Sequence, residues 1–286
     1  MSIQLLFDFL AGRIGGEEEV KKASRIAKVI IAGNSVELPV ADKEGAIAAG
    51  TVFGTNKTKL EKQQQEMSAA TMKRFDAYLA QGLGSCHIDV MPGAEDPTTE
   101  TLPQQTLHPC LFPHSSRFDS LNLVTNPYDA KVDGCHLLGH SGQPVFDILR
   151  QTHWHGYPVE PEDVATTDAA ASGATAMDVA EEGAEDDGSS DALKALKKTL
   201  EWGHVCPTAP DTLSCYPFVD ADPFVIEKDA PHVYYAGNQE KFESVLVEGE
   251  DQKFRTRVVC VPSFQKTGEA VLVDTCSLEA SVVSFR

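Results

Sequence analysis

Three apolar runs in this sequence end in a glycine followed by polar residues. "IIAGN" closes on Gly33 and Asn34, "VMPGAEDP" carries Gly93, Ala94 and Glu95, and "YYAGNQ" carries Gly237, Asn238 and Gln239. Ligands of layered α/β proteins sit at the C-terminal ends of strands. Two divalent cations held there by Asp, Asn and His would activate water against a phosphodiester. The residue types depart from that need. Asn34 stands where a bridging carboxylate is required, and Ala94 and Glu95 stand where Asn and His are required. Asn238 and Gln239 replace two histidines, and only His204 lies at a fitting point. A neutral amide is a weak ligand and cannot compensate two dications. The expectation is a degenerate metal site at Asn34, Gly93, Ala94, Glu95, His204, Asn238 and Gln239, with no metal and no other cofactor.

Other chemistry-bearing patterns are weaker. His153 and His155 in "HWH" would face one way on a strand and could share a zinc ion, but no Cys or acidic partner is placed beside them. "LGHSGQ" lacks the G-x-S-x-G pattern of a nucleophile elbow, so Ser141 reads as a turn and helix cap. The seven cysteines form no C-x-x-C pair and read as reduced core thiols of an intracellular protein. No phosphate loop or G-x-G-x-x-G is present.

These residues need elements to position them. Residues 3–12 read as a core helix, and "RIAKVIIAGN" as a buried strand ending at Asn34. Residues 56–84 read as a long amphipathic helix with Leu60, Met67, Phe75 and Tyr78 on one stripe. "HIDVM" and "FDSLNLVTNPY" are further strands, and "QPVFDILRQ" and "ALKKTLEWG" are helices. "HVYYAG" reads as a strand entering a Gly-Asn turn. "FRTRVVCVPSF", "GEAVLVDT" and "LEASVVSF" are spaced like an antiparallel meander. The alternation predicts an α/β sandwich of mixed sheets flanked by helices.

The net charge of −19 is unevenly spread. Residues 156–191 hold eleven acidic residues and no Lys or Arg, which is over half of it. That stretch is rich in Ala, Gly, Ser, Asp and Glu and reads as a disordered acidic insertion. An acidic chain is a poor direct binder of nucleic acid, because that affinity rests on cations neutralising phosphates. No apolar run approaches a membrane span.

Three long segments carry a resemblance: "MPGAEDPTTETLPQQTLHPCLFP" (91–113), "LVTNPYDAKVDGCHLLGHSGQPVFDILR" (123–150) and "HVCPTAPDTLSCYPFVDADPFVIEKDAPHVYYAGNQEKF" (204–242). They resemble the small, B-type accessory subunits of eukaryotic DNA polymerase delta more than their alpha and epsilon counterparts. The resemblance implies a calcineurin-like phosphodiesterase domain over residues 1–286 that has lost its metal ligands, interrupted by the insertion at 156–191. It also implies that the family's OB domain and the first strand of the phosphodiesterase domain are missing from this chain. The function implied is non-catalytic scaffolding in the nucleus, in DNA replication and repair. The partners implied are the C-terminal region of the catalytic subunit and a third accessory subunit, with DNA met only through the complex and no membrane. Pro207, Pro210 and Pro217 would stiffen the loop that follows His204, either as a fixed partner surface or as a lid packed on the sheet. The alternative reading, from a different class, is a metal-dependent phosphodiesterase with an atypical ligand set.

Overall fold

The computed structural model describes residues 2–36, 56–151, 188–219, 221–226, 230–249 and 254–286, with backbone alone for 56–68. Two helices open the chain, α1 (Ser2–Leu10) and α2 (Glu17–Ser24), and lead into strand β1 (Lys28–Ala32). Helix α3 (Asn56–Gly82) precedes β2 (His87–Met91), and β3 (Leu121–Leu123) completes a parallel three-stranded sheet in the order β1-β2-β3. The second sheet contains β4 (Tyr128–Val132), β5 (Cys135–His140), β6 (Val233–Gln239), β7 (Glu243–Glu248) and β8 (Arg255–Pro262). Its order is β4-β5-β6-β8-β7, with β5, β6 and β8 mutually parallel in the middle and antiparallel strands at both edges. Helices α4 (Gln143–Gln151) and α5 (Asp191–Glu201) lie between β5 and β6 in sequence. A one-turn helix α6 (Phe264–Thr267) precedes an antiparallel hairpin of β9 (Glu269–Val273) and β10 (Ala280–Ser284).

Side-chain alternation along the strands sets four layers. On β6, Tyr234 and Ala236 pack with Val145, Ile148 and Leu196 of α4 and α5, while Val233 and Tyr235 face the opposite way. On β8, Val258 and Val259 divide in the same manner. On β1, Val29 and Ile31 join the core under α1 and α3, and Ile30 and Ala32 face the second sheet. The same division holds on the hairpin, where Ala270 and Val283 lie on the helix side and Val271 and Val273 on the sheet side. Strands β1–β3 and β9–β10 therefore share one layer, in an α/β/β/α sandwich. Each fully buried aliphatic side chain of these cores contributes about 1.5–3 kcal/mol. The buried Asp89 on β2 ties the two sheets together, accepting from Lys28 Nζ at 2.8 Å and from the Tyr128 hydroxyl at 2.7 Å.

The mixed α/β architecture agrees with the sequence reading, and several details do not. The expected meander holds in part: β9 and β10 pair antiparallel, but β8 is in the other sheet, parallel to β6, with β7 as its antiparallel neighbour. Strand β7 is short, acid-bounded and at a sheet edge, so its period-2 signal is weak. Strand β4 does alternate, with Tyr128, Ala130 and Val132 against Asp129 and Lys131, a pattern that the sequence reading passed over. The first helix stops at Leu10 rather than residue 12. The stripe of α3 that enters the core is Met72, Phe75, Leu79 and the following Leu83, with Tyr78 only half-buried; the side chains of Leu60 and Met67 lie outside the described residues. So do His153, His155 and the expected insertion up to residue 187. Its expected end at 191 is corrected, because Ser190 is the N-cap of α5. The Ser190 hydroxyl accepts from Leu193 N–H at 3.3 Å, and both its N–H and its hydroxyl donate to Glu243. All seven cysteines are free thiols. Among the described residues, no helix is long and apolar enough to cross a membrane.

Candidate functional site at the strand ends

The C-terminal ends of β1, β2, β5 and β6 meet at one point, and glycines make the approach possible. A β-carbon on Gly33 would lie 2.5 Å from Ser141 Cβ and 2.9 Å from Gly93 Cα; one on Gly237 would lie 2.5 Å from the Ala32 carbonyl oxygen. Gly33 also has φ +80°, a conformation that side chains resist. The predicted Gly-Asn turn is instead a continuation of β6 to Gln239, with a register shift against β8 between Ala236 and Gln239. The positive φ falls on Asn238, at 58°, and Asn34 has φ 51°.

The amides placed here are engaged with backbone. Asn34 Oδ1 accepts from Glu95 N–H at 3.1 Å, joining the first two loops. Asn238 Nδ2 donates to the Ala32 carbonyl at 3.0 Å and the Ser141 carbonyl at 2.9 Å. Gln239 Nε2 donates to the Gly237 carbonyl at 2.8 Å. Gly93 sits against Asn34, and Ala94 lies in the same loop with its neighbour Glu95 exposed. His204 stands apart from these contacts. Its Nε2 lies 3.0 Å from Asp222 Oδ2, its Nδ1 accepts from Cys206 N–H at 3.1 Å, and its ring packs on Phe224. Burial would raise the Asp222 carboxyl, but the Phe224 N–H and His204 hold it below the usual range.

Four side chains not singled out from the sequence as ligands complete the arrangement. Gln104, Asn126, Ser141 and Gln143 form a closed polar network. Asn126 Nδ2 lies 2.7 Å from Gln104 Oε1, 2.9 Å from Ser141 Oγ and 2.7 Å from Gln143 Oε1, its two hydrogens shared among the three, and the Ser141 hydroxyl donates to Gln143 Oε1 (2.7 Å). Ser141 is thus committed to this network, not to a helix cap. Gln104 Nε2 reaches back to the Gly93 and Thr99 carbonyls. These residues come from "LPQQ", "LVTNPY" and "GHSGQ", three of the stretches that carry the resemblance, and buried polar residues inside otherwise apolar segments were the available signal. The proline-rich loop joins them: Leu102 exchanges backbone hydrogen bonds with Ser214 and Tyr216, and Tyr216, Phe218 and Val219 of the loop are exposed, Phe218 also packing edge-on against Phe224.

Asp96 is the buried acid of the site. It accepts from Ser35, Val36 and Gly93 N–H groups at 3.2, 3.1 and 2.8 Å. Burial pushes its carboxyl up to about 6, and those donors limit the rise. Nearby, burial pushes His140 down to about 3, so its ring is neutral; its Nδ1 accepts from Gly142 N–H. Among the described residues, no three His, Cys, Asp or Glu side chains are grouped to hold a metal ion. The arrangement is a rigid, neutral polar junction that locks four loops, with one acid held inside it.

This is the geometry of a junction in an α/β domain with two β layers, and similarity to known proteins gives its class. Residues 1–244 match the family of DNA polymerase alpha/epsilon B subunits, and the chain belongs to that family. Among similar proteins, "DNA polymerase delta subunit 2" of Drosophila melanogaster is 36% identical over 284 residues, covering 99% of this chain and 54% of the relative. "DNA polymerase delta small subunit" of Arabidopsis thaliana is 35% identical over 285 residues, covering 100% and 54%. The protein of the same name in Saccharomyces cerevisiae is 32% identical over 295 residues, covering 100% and 52%. The chain spans about half the length of these relatives.

Proposed function

We propose that this chain is the phosphodiesterase-like part of a non-catalytic accessory subunit of DNA polymerase delta, working in the nucleus in DNA replication and repair. It would hold the C-terminal region of the catalytic subunit and a third accessory subunit, and meet DNA only through that complex. The observation that carries the non-catalytic reading is the commitment of the amides at the strand ends. Asn34 Oδ1 and Asn238 Nδ2 bind backbone groups of neighbouring loops, so the positions that would ligate cations serve to fasten strands. A calcineurin-like ancestry with eroded ligands accounts for that placement. The proline-rich loop supports scaffolding, since it is pinned to Leu102 and carries the exposed Tyr216, Phe218 and Val219.

The test has two arms. Purified chain is incubated with manganese and a phosphodiester substrate, and separately co-expressed with the C-terminal region of the catalytic subunit and analysed by gel filtration. The expected result is no hydrolysis above buffer and a stable co-eluting complex. Stoichiometric manganese with hydrolysis that Asn34→Ala abolishes would overturn the non-catalytic reading. Failure to co-elute, with a folded chain, would overturn the scaffold.

A further inference from the structure

A hollow of about 180 Å³ lies at the C-terminal end of α5, lined by Leu200, Gly203, Ile226, Ala230, Val247 and Phe254. Hydrogen bonds fix its walls. Helix α5 stops in a Schellman turn, in which Gly203 N–H donates to the Leu200 carbonyl and His204 N–H to the Thr199 carbonyl, with Gly203 at φ +67°. Ile226 N–H donates to the Gly203 carbonyl, and Gly249 N–H donates to the Phe254 carbonyl. Trp202, between the lining residues Glu201 and Gly203, is 55% exposed. Val225, beside Ile226, is 51% exposed, and Phe254 itself is 43% exposed. Single exposed apolar residues are ordinary, but three of them around one apolar hollow form a patch that marks an interaction site.

Charge decides what fits there. The two stretches of sequence that bring Ile226, Ala230 and Phe254 to the hollow, 218–230 and 248–255, hold seven acidic residues against three basic ones. Glu201, Asp222 and Glu248 are half-exposed, each paired with one residue of this chain: Lys198, His204 and Arg255. The whole chain carries −19. A second copy, or an acidic segment, would set like charge against like. A cationic segment meets the excess of carboxylates, and the exposed rings of Trp202 and Phe254 attract cations on their faces. The hollow has room for one aliphatic side chain, not for a helix face.

We propose that this surface docks a basic segment of a partner protein, with one aliphatic side chain seated in the hollow and Lys or Arg side chains over Trp202 and Phe254. The apolar anchor supplies most of the affinity, as anchors in desolvated pockets do. The charges supply steering and partner choice. Because the Schellman turn and the backbone bonds to Gly203 and Phe254 hold the walls in place, little ordering accompanies binding. This inference rests neither on the reading of the strand-end site nor on which protein carries the segment.

The test uses the complete 286-residue chain, whose two tryptophans are reduced to one by Trp154→Phe so that emission reports Trp202 alone. The probes are the peptide Lys-Arg-Lys-Leu-Lys-Arg-Lys, the same peptide with Ser in place of Leu, and Glu-Asp-Glu-Leu-Glu-Asp-Glu. The expected result is a saturable shift of Trp202 emission with the basic leucine peptide and binding about tenfold or more weaker with the serine peptide. The acidic peptide gives no shift. Val225→Lys, at a half-exposed position, weakens the leucine peptide about tenfold with an unchanged melting temperature; the leucine–serine pair carries the test should that variant unfold. No emission shift, equal binding of the leucine and serine peptides, or binding of the acidic peptide would each overturn the proposal. So would unchanged binding by a folded Val225→Lys. Dimer formation in sedimentation that Val225→Lys abolishes would assign the surface to a second copy and overturn it as well.

Discussion

The strand-end junction and a cleft of about 1340 Å³ lined by β1 and β9 belong to the same sandwich yet are built on opposite terms. At the junction four loops approach so closely that Gly33, Gly93 and Gly237 have no room for a β-carbon, and its amides bridge from loop to loop. At the cleft two strands present edges and half-buried valines to an open apolar space. Crowded, hydrogen-bonded geometry tolerates little change. A half-buried wall tolerates much more, because water already solvates part of it. The contrast separates a close-packed, hydrogen-bonded part of the molecule from an open, apolar one.

Substitutions grade that contrast. The largest effect is expected for Gly33→Ala, which adds left-handed strain and a clash with Ser141 and Gly93. It should cost about 3–5 kcal/mol, read as a large fall in denaturation midpoint, while Gly84→Ala, with open space around it, should stay within about 0.5 kcal/mol. Equal effects would break the comparison. Next, Asn126→Leu removes the hub of the network and leaves Gln104, Ser141 and Gln143 without it, at about 3 kcal/mol. A near-neutral result in urea titration would mean that the network carries no stability.

Asp96 sharpens the same region by pH. Its folded value of about 6 lies above the ordinary unfolded value of about 3.9. Its contribution is fully present below about pH 4 and is lost as pH rises through about 6, by about 3 kcal/mol. Asp96→Asn should remove that dependence, and it also sets an amide N–H against backbone donors, so the variant is weaker at every pH. The measurement is the difference in unfolding free energy between parent and variant at pH 4 and pH 7. A difference that does not change with pH would refute the raised carboxyl. Glu243 and Asp274 are held low by Lys241 and Ser190 and by the Ser277 and Cys276 N–H groups, so they act in the opposite sense at lower pH.

Smaller effects come from the periphery. Ser190→Ala loses the cap of α5 and the hydroxyl's bond to Glu243, keeping the backbone N–H bond, at about 1 kcal/mol. A deletion of 156–187 should therefore be less damaging than one of 156–191, and a thermal melt of each checks it. The smallest change is expected at the cleft, where Val271→Thr should cost below about 1 kcal/mol in the chain alone. A larger loss would mean that this wall already belongs to a closed core.

Much of the architecture was legible because it is written locally. Apolar runs at 29–32 and 233–236, helical periodicity in α3, and proline punctuation of the 204–217 loop depend on neighbours within a few residues. The strand-end positions Asn34, Glu95, Asn238 and Gln239 were legible as Gly-polar exits, and their departure from metal-ligand types was a matter of residue identity alone. Tertiary structure decided the rest. Whether β8 would pair with β6 or continue a meander depends on a partner more than ten residues away, which no local pattern encodes. That His204 joins Asp222, and that Gln104, Asn126 and Gln143 converge, follows from loops brought together only when the sheets stack. The open edge of β1 was anticipated only through the resemblance; no local pattern shows it, because an edge is defined by which strand is not beside it, and that is a property of the assembled layer.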